Sequence, residues 1–196
     1  DSSFLLLEEG RKTEAREKMV EEAQAEADVP WEDKPYTVVD GKVDAVCGTT
    51  TITLSRMKKV DFSLPIYVDG GSVLVRAKSK LARLVDLKDK RIAVISGTTT
   101  EEDLVSGLNA LGVTAVLVPV KNSAEGMAML TKGTVDAYAA DRVVLAYLKL
   151  RAPDPKAYTF VTGDFSLQPF GLPVRRDDPD FRLAVNRALA GLYRTG

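Results

Sequence analysis

The sequence predicts an α/β fold made of two lobes, with mixed and mostly parallel sheets. Strand and helix patterns alternate over residues 91–162, which is typical of parallel strands joined by helical crossovers. A short element also occurs twice, as Gly41-Lys42-Val43-Asp44-Ala45 and Gly133-Thr134-Val135-Asp136-Ala137. A polar residue follows the predicted strand of each copy, Thr49 in the first and Asp141 in the second. This repetition favours two similar lobes around a cleft, because ligands bind at the carboxyl ends of strands in open α/β sheets.

The composition narrows the classes of protein. The 196 residues suffice for one large or two small domains, and 45% of them are hydrophobic, so a sizeable core is expected. Lys and Arg number 27 against 28 for Asp and Glu, so no net charge favours nucleic acid or an anionic membrane as a partner. The chain has no histidine and one cysteine. These counts exclude an intramolecular disulfide and Ser-His or Cys-His catalysis, and they disfavour a zinc site.

The first part of the chain gives the weaker element signals. Residues 8–27 are rich in Ala, Glu, Lys and Arg, which predicts an exposed helix. Further patterns predict a strand, a short polar helix and two extended segments, at 43–46, 54–59, 64–68 and 71–76. In the last of these, apolar and polar residues alternate. Cys47 is expected to be a small buried hydrophobe beside the first strand.

The second part gives clearer signals. Thr98 and Glu101 are spaced as a capping box for a helix, and Asn122 begins another helix that ends at Gly133. The predicted strands and helices are 91–95, 98–111, 113–118, 122–133, 135–139, 142–150 and 158–161. Residues 167–174 are expected to be extended. Asp178-Pro179 then opens a final helix over 180–193 as cap and first-turn proline, and its apolar residues need a partner surface on the first lobe.

A family resemblance rests mainly on residues 44–67, DAVCGTTTITLSRMKKVDFSLPIY. Later matches are Ser96-Gly97-Thr98-Thr99, the turn from Lys132 to Asp141, and Gln168-Pro169-Phe170-Gly171. On these residues the sequence resembles the type 2 periplasmic solute-binding proteins, in particular the family that binds amino acids for ABC transporters, bacterial extracellular solute-binding protein family 3. The resemblance extends from about Trp31 to the end of the chain.

The resemblance implies the periplasmic-binding-protein-like II fold. Lobe 1 would then comprise residues 1–70 and 171–196, and lobe 2 residues 71–170, with hinge strands near 67–75 and 167–174. Family members normally begin with a strand, an aromatic loop and a further helix and strand, where this chain has the charged stretch 1–27. Lobe 1 is therefore predicted to be incomplete or rebuilt. Absent segments, or a partner chain or swapped segment, would each explain this.

A free amino acid presents a carboxylate beside an ammonium, so its site needs a cation and N–H donors on one side and a carboxylate on the other. Arg56 suits the carboxylate, since a guanidinium can bind it bidentately. Thr51 can add its hydroxyl and backbone N–H. Thr98 and Thr99 begin a helix, whose first N–H groups favour an anion. The alternatives are that Arg56 is a solvated surface charge and that the two threonines only cap the helix.

The ammonium side of the predicted site rests on Asp141, with the Gly48 carbonyl and the Thr49 hydroxyl as further acceptors. Trp31 would place an aromatic face over the ligand side chain. Asp141 could instead cap the helix that begins at Arg142, and Trp31 could be ordinary packing.

The function that the resemblance implies is capture of a polar or charged amino acid between the lobes for uptake by an ABC transporter. The partner would be the membrane permease and the location periplasmic or extracellular, with no cofactor, no metal and no catalytic residue. No apolar run reaches the roughly 20 residues of a membrane span, and the chain shows no signal peptide. The alternatives are a ligand-sensing receptor domain, a dehydratase-like enzyme of the same fold, and a binding-impaired fragment.

Overall fold

The computed structural model describes residues 36–195 of the chain. The predicted helix at 8–27 and Trp31 lie outside these residues. The described strands are β1 (Asp61–Phe62), β2 (Tyr67–Asp69), β3 (Gly71–Arg76), β4 (Arg91–Ile95), β5 (Val116–Val120), β6 (Ala137–Asp141), β7 (Tyr158–Phe160), β8 (Gln168–Phe170) and β9 (Pro173–Val174). The described α-helices are α1 (Thr99–Ala110), α2 (Ser123–Lys132), α3 (Arg142–Arg151) and α4 (Pro179–Thr195).

Five of these strands form one mixed sheet in the order β5-β4-β6-β3-β7. β4 is parallel to β5 and β6, and β3 is antiparallel to both of its neighbours. The predicted α/β class with a mixed sheet is thereby confirmed. The alternation expected in β3 is wrong, because its residues are buried on both faces of the sheet, Ser72 included. Residues 71–166, which contain this sheet, are called the sheet region below.

Each face of the sheet has its own hydrophobic core. On one face, Leu104 and Leu108 of α1 pack with Val73 and Val75 of β3. The opposite core contains residues of β3, α2, β6 and α3, among them Leu74, Leu130, Tyr138 and Leu145. Burying one such leucine contributes about 2 kcal/mol. The sheet region therefore has two complete cores, which hold its strand ends in fixed positions.

Local sequence signals set the helix ends of the sheet region. The Thr98 hydroxyl accepts a hydrogen bond from Glu101 N (3.2 Å), and the Asn122 side chain accepts one from Glu125 N (2.9 Å). Gly133 ends α2 with a φ of 77°, which glycine adopts without strain. The predicted cap residues are confirmed, but the capping box at Thr98 is formed only in part, because the Glu101 side chain accepts from Gly97 N (2.9 Å).

Two predicted strands are displaced along the chain. β6 spans Ala137–Asp141 and not 135–139, so Asp141 ends the strand and does not follow it. β5 begins at Val116 rather than at residue 113. The reason is that α1 closes through Gly112 (φ 63°), after which Val113 N donates back to Leu108 O (2.9 Å). Val113 is therefore the buried apolar residue of the helix end and not a strand residue.

Residues 36–66 and 171–195, called the minor region below, have a smaller core of Val38, Val43, Val46, Val60 and Phe62. The strand predicted at 43–46 is wrong: Ala45 alone forms a bridge, with Val174. Cys47 is exposed rather than buried, because the chain does not continue as a strand there. The polar helix expected at 54–59 is one turn of 3-10 helix, Arg56–Lys58.

The final helix lies against residues 61–65. The Asp178 side chain accepts from Phe181 N (2.9 Å), as its predicted cap role requires. Asn186 accepts from Leu64 N (2.8 Å), and the Tyr193 hydroxyl donates to Pro65 O (2.6 Å). No described residue of α4 is buried. β2 and β8 pair antiparallel between the two regions, with Val68 opposite Pro169.

Candidate functional site

Three helices of the sheet region begin at one edge of the sheet. α1, α2 and α3 follow β4, β5 and β6, and parallel strands present their carboxyl ends together. A pocket lies at this edge, between the helix starts and residues 49–56 of the minor region. Its lining residues are Thr49, Thr50, Arg56, Ile95, Thr98, Thr99, Thr100, Ser123, Ala139, Ala140, Asp141 and Val144.

Backbone pairing with the end of β8 holds the minor-region side of the pocket. Ile52 N donates to Pro169 O (2.8 Å), and Gly171 N donates to Thr50 O (3.1 Å). Thr51 forms a single antiparallel bridge with Phe170. These bonds fix residues 50–52 against the strand that leaves the sheet region, so the turn that carries Arg56 faces the helix starts.

Arg56 is the one cation among the described residues that line the pocket. Its Nη1 donates to Thr51 O (2.8 Å), which orients the guanidinium. Burial lowers the pKa of Arg56, and Coulomb attraction to acidic groups, Asp141 among them, acts in the opposite direction. A guanidinium remains charged despite such a shift, since its ordinary pKa is far above neutral. Arg56 thus offers several N–H donors that a ligand carboxylate could use.

Asp141 is the one carboxylate among the described lining residues. Its Oδ1 accepts from the Thr100 hydroxyl (3.0 Å). Burial raises the pKa of Asp141, while hydrogen bonds from Thr100 and Thr49 lower it. The charge of Asp69 raises this pKa and that of Arg56 lowers it. The carboxylate is therefore poorly solvated, and a bound cation would relieve that cost.

The start of α3 shows what Asp141 does not do. Its side chain makes no capping hydrogen bond to the helix that follows it. Asp69, at the end of β2, takes that role, because its Oδ2 accepts from Val143 N (2.8 Å). The Gly70 carbonyl accepts from Arg142 N (2.9 Å) beside it. The carboxylate of Asp141 thus does not cap α3.

The start of α1 divides its threonines between separate tasks. Thr98 caps the helix, and its hydroxyl also donates to Ile95 O (2.8 Å). The Thr99 hydroxyl lies 3.0 Å from that of Thr51. Thr100 bonds Asp141. The backbone N–H groups of Thr99 and Thr100, the first two residues of the helix, lie at its positive end and suit an anion beside Arg56.

Gln168 links the pocket to the strand between the two regions. Its Oε1 accepts from the Thr51 hydroxyl (2.7 Å) and the Thr99 hydroxyl (3.3 Å). Its Nε2 donates to Asp103 Oδ2 (2.6 Å) and Ser166 Oγ (3.2 Å). Gln168 is 3% exposed. One buried amide therefore joins the minor region, α1 and β8.

The structure brings most of the predicted site residues together. Five of them line the pocket, namely Thr49, Arg56, Thr98, Thr99 and Asp141. Thr51 is buried behind the pocket in the Gln168 network. Gly48 is exposed and is not among the lining residues. Trp31 lies outside the described residues.

Sequence reasoning missed the polar lining residues Thr50, Thr100 and Ser123, and the supporting residue Gln168. Ser123 follows β5 as Asp141 ends β6, so the strand-end rule that found Asp141 could have found Ser123 too. Gln168 belonged to a matching motif but had no assigned role. Apart from Ser166, its partners lie 65 to 117 residues away, and no local pattern indicates them.

Comparison with known proteins assigns the chain to a family. The profile of the bacterial extracellular solute-binding proteins, family 3, matches residues 13–196. The L-glutamate/L-aspartate-binding protein of Pseudomonas aeruginosa is 29% identical over 192 residues, which is 91% of this chain and 63% of that protein. The chain spans 52% to 63% of the length of three curated glutamate/aspartate-binding relatives.

Two solved structures agree in fold and sequence. The ancestral amino acid-binding protein AncCDT-1, a precursor of cyclohexadienyl dehydratase, is 33% identical with a TM-score of 0.72, over 85% of this chain and 70% of that one. An ancestral arginine-binding protein bound to glutamine is 31% identical with a TM-score of 0.72, over 84% and 72% of the two chains. The chain described here belongs to the bacterial extracellular solute-binding proteins, family 3.

Proposed function

We propose that this chain captures a free amino acid between two lobes, as the substrate-binding component of an ABC transporter. The observation that carries the proposal is that Arg56 of the minor region and Asp141 of the sheet region line one pocket. The α-carboxylate would bind Arg56 and the first turn of α1, and the ammonium would bind Asp141. Two opposite charges held at fixed positions match a zwitterion and disfavour a simple anion or cation.

The proposed lobes are residues 1–70 with 171–196, and residues 71–170. The paired strands β2 and β8 support a hinge between them, because two short adjacent strands form a narrow connection at which a bend would move both lobes. Closure would bring Arg56 onto a ligand already held at the helix starts. A partner chain or swapped segment that completes lobe 1 stays a prediction, which light scattering of the purified chain would test.

Delivery to a membrane permease, from the periplasm or the cell exterior, is the corresponding proposal for partner and location. It is supported by the family, and by relatives whose names describe glutamate/aspartate import. Over residues 36–195, no helix combines the length and apolar character that crossing a membrane requires.

We also propose that the chain binds its ligand without catalysing a reaction of it. Asp141 has a raised pKa, which a general acid would need, but the ligand ammonium requires the same carboxylate. No second carboxylate is found among the described lining residues. Mass spectrometry of ligand released from the protein should recover the amino acid unchanged, and a converted product would favour the enzyme alternative.

Calorimetry of the full chain, preceded by a thermal-shift screen of the twenty amino acids, tests the proposal. Arg56→Gln should weaken binding about a hundredfold, because it removes a charge-assisted contact of about 3 kcal/mol. Arg187→Gln is the matched control, since Arg187 is exposed on α4. Unchanged affinity in Arg56→Gln would contradict the proposal. No binding of any amino acid would favour the binding-impaired fragment.

A further inference from the structure

The pocket contains only two charged side chains among the described lining residues, Arg56 and Asp141. The proposed function assigns both to the charges that every amino acid shares. The remaining described surface consists of hydroxyls, apolar groups and backbone, including Ile95, Ser123 and Val144. The side chain of the ligand therefore meets a neutral surface.

A charged ligand side chain would be left without a partner on this surface. A glutamate or aspartate would place a second carboxylate where the described lining residues offer no second cation. An arginine or lysine would place a second cation where the same residues offer no second carboxylate. Burying an unpaired charge costs several kcal/mol, far more than burying a neutral polar group that finds a hydrogen bond.

Ser123 provides such a hydrogen bond. It is the first residue of α2 and lines the pocket, while Asn122 makes the helix cap. Ser123 is therefore not needed to begin the helix. Its hydroxyl can donate to a carbonyl or accept from an amide or hydroxyl.

A buried phenol lies beside Ser123. Tyr138 is fully buried, and its hydroxyl does not complete a hydrogen bond in the described structure. Its ring lies beneath the first turn of α2, so that a Cβ on Gly126 would be 2.5 Å from Tyr138 Cε2. Burial raises the pKa of Tyr138 to about 12, and the Ser123 hydroxyl acts in the opposite direction. The phenol thus keeps its proton at neutral pH. It can donate a hydrogen bond to the Ser123 hydroxyl after a small reorientation of that hydroxyl.

We propose that the ligand is an amino acid with an uncharged, hydrogen-bonding side chain, and that Ser123, oriented by Tyr138, reads that side chain. The inference rests on the proposed function. Ser123 would accept from Tyr138 and donate to the side-chain oxygen of the ligand. An amide and its acid, which have the same shape, would be distinguished by charge, because the acid finds no second cation among the described lining residues.

Isosteric ligand pairs test the charge of the side chain. Calorimetry would compare L-glutamine with L-glutamate, L-asparagine with L-aspartate, and L-citrulline with L-arginine on the full chain. The best-bound neutral member should exceed its charged partner by more than about a hundredfold in affinity. A charged member that binds as tightly as its neutral partner overturns this inference and leaves the proposed function intact. Failure of every amino acid to bind overturns both.

Two variants test the role of Ser123. Ser123→Ala should weaken the best neutral polar ligand at least about fivefold more than it weakens L-norvaline, whose side chain forms no hydrogen bond. Ser106→Ala, exposed on α1, is the matched control. Ser123→Arg should shift preference toward the acid of the same pair, because it supplies the missing cation. Equal losses for polar and apolar ligands, or no gain of acid binding, would overturn the role.

Discussion

The sheet region and the minor region contribute unequally to one pocket. The sheet region surrounds its five strands with two cores and supplies the helix starts and Asp141. The minor region has one small core of five buried residues, yet it supplies Arg56. The larger region therefore fixes the geometry of half of the site. The other half depends on a thin layer whose position is set by its bonds to β8.

The largest effect should come from cutting the core of the sheet region. Leu74→Ala should lower the free energy of unfolding by about 3 kcal/mol, because Leu74 is fully buried. Val60→Ala, fully buried in the minor region, should cost about 1 to 2 kcal/mol. Urea denaturation measures both values.

Ligand affinity sharpens the same comparison. The Val60 side chain is fully buried in the minor-region core and directly follows the turn that carries Arg56. Val60→Ala should therefore let that turn shift and weaken amino-acid binding more than its small stability cost suggests. Leu74→Ala should leave affinity nearly unchanged in the fraction that is folded. Equal stability losses in the two variants would show that the regions are equally well packed.

An intermediate effect is expected at the joint between the regions. Gln168→Leu leaves Asp103 and the hydroxyls of Thr51 and Thr99 without their amide partner, at a cost of about 2 kcal/mol. A double-mutant cycle with Thr51→Val should give a coupling energy of about 1 kcal/mol. Strictly additive stability changes would mean that Gln168 does not join the two regions energetically.

The smallest effect concerns the charge of Asp141 in the absence of ligand. Burial raises the pKa of this carboxyl, so the folded state holds the proton more tightly than the unfolded state does. Stability should therefore fall as the pH rises from the ordinary range of aspartate through the raised pKa. Asp141→Asn should be the more stable protein at neutral pH, and the difference should vanish in acid.

Melting curves of the ligand-free protein between acid and neutral pH would measure this difference. Asp177→Asn is the control, since its side chain is 87% exposed. The asparagine can keep the hydrogen bond from Thr100, but it should bind an amino acid poorly. A variant that is less stable at neutral pH would contradict the argument.

The sequence predicted those parts of the fold that local signals determine. Thr98, Asn122 and Gly133 start or end helices through contacts within a few residues, and all three were found. The strand at 43–46 was predicted wrongly, since its apolar residues pack in a small core and its pairing with β9 is limited to the single bridge of Ala45 with Val174. The difference follows from the range of the interactions: caps are local, whereas strand pairing depends on a partner more than a hundred residues away.

The site shows the same division. Arg56 and Asp141 could be placed on one pocket because family motifs and strand ends both indicate them. The question whether Asp141 caps α3 could not be decided from its neighbours. The answer depends on Asp69, which is distant in sequence and lies at the end of a different strand.

The cap formed by Asp69 has a mechanical consequence. β2 ends at Asp69, whose carboxylate accepts a hydrogen bond from the first turn of α3. The next carbonyl, that of Gly70, accepts a second one. The carboxylate that would meet the ligand ammonium stands at the head of that same turn. If the paired strands bend as proposed, the first turn of α3 moves together with β2. Closing the cleft and aiming the negative charge would then be one movement, not two.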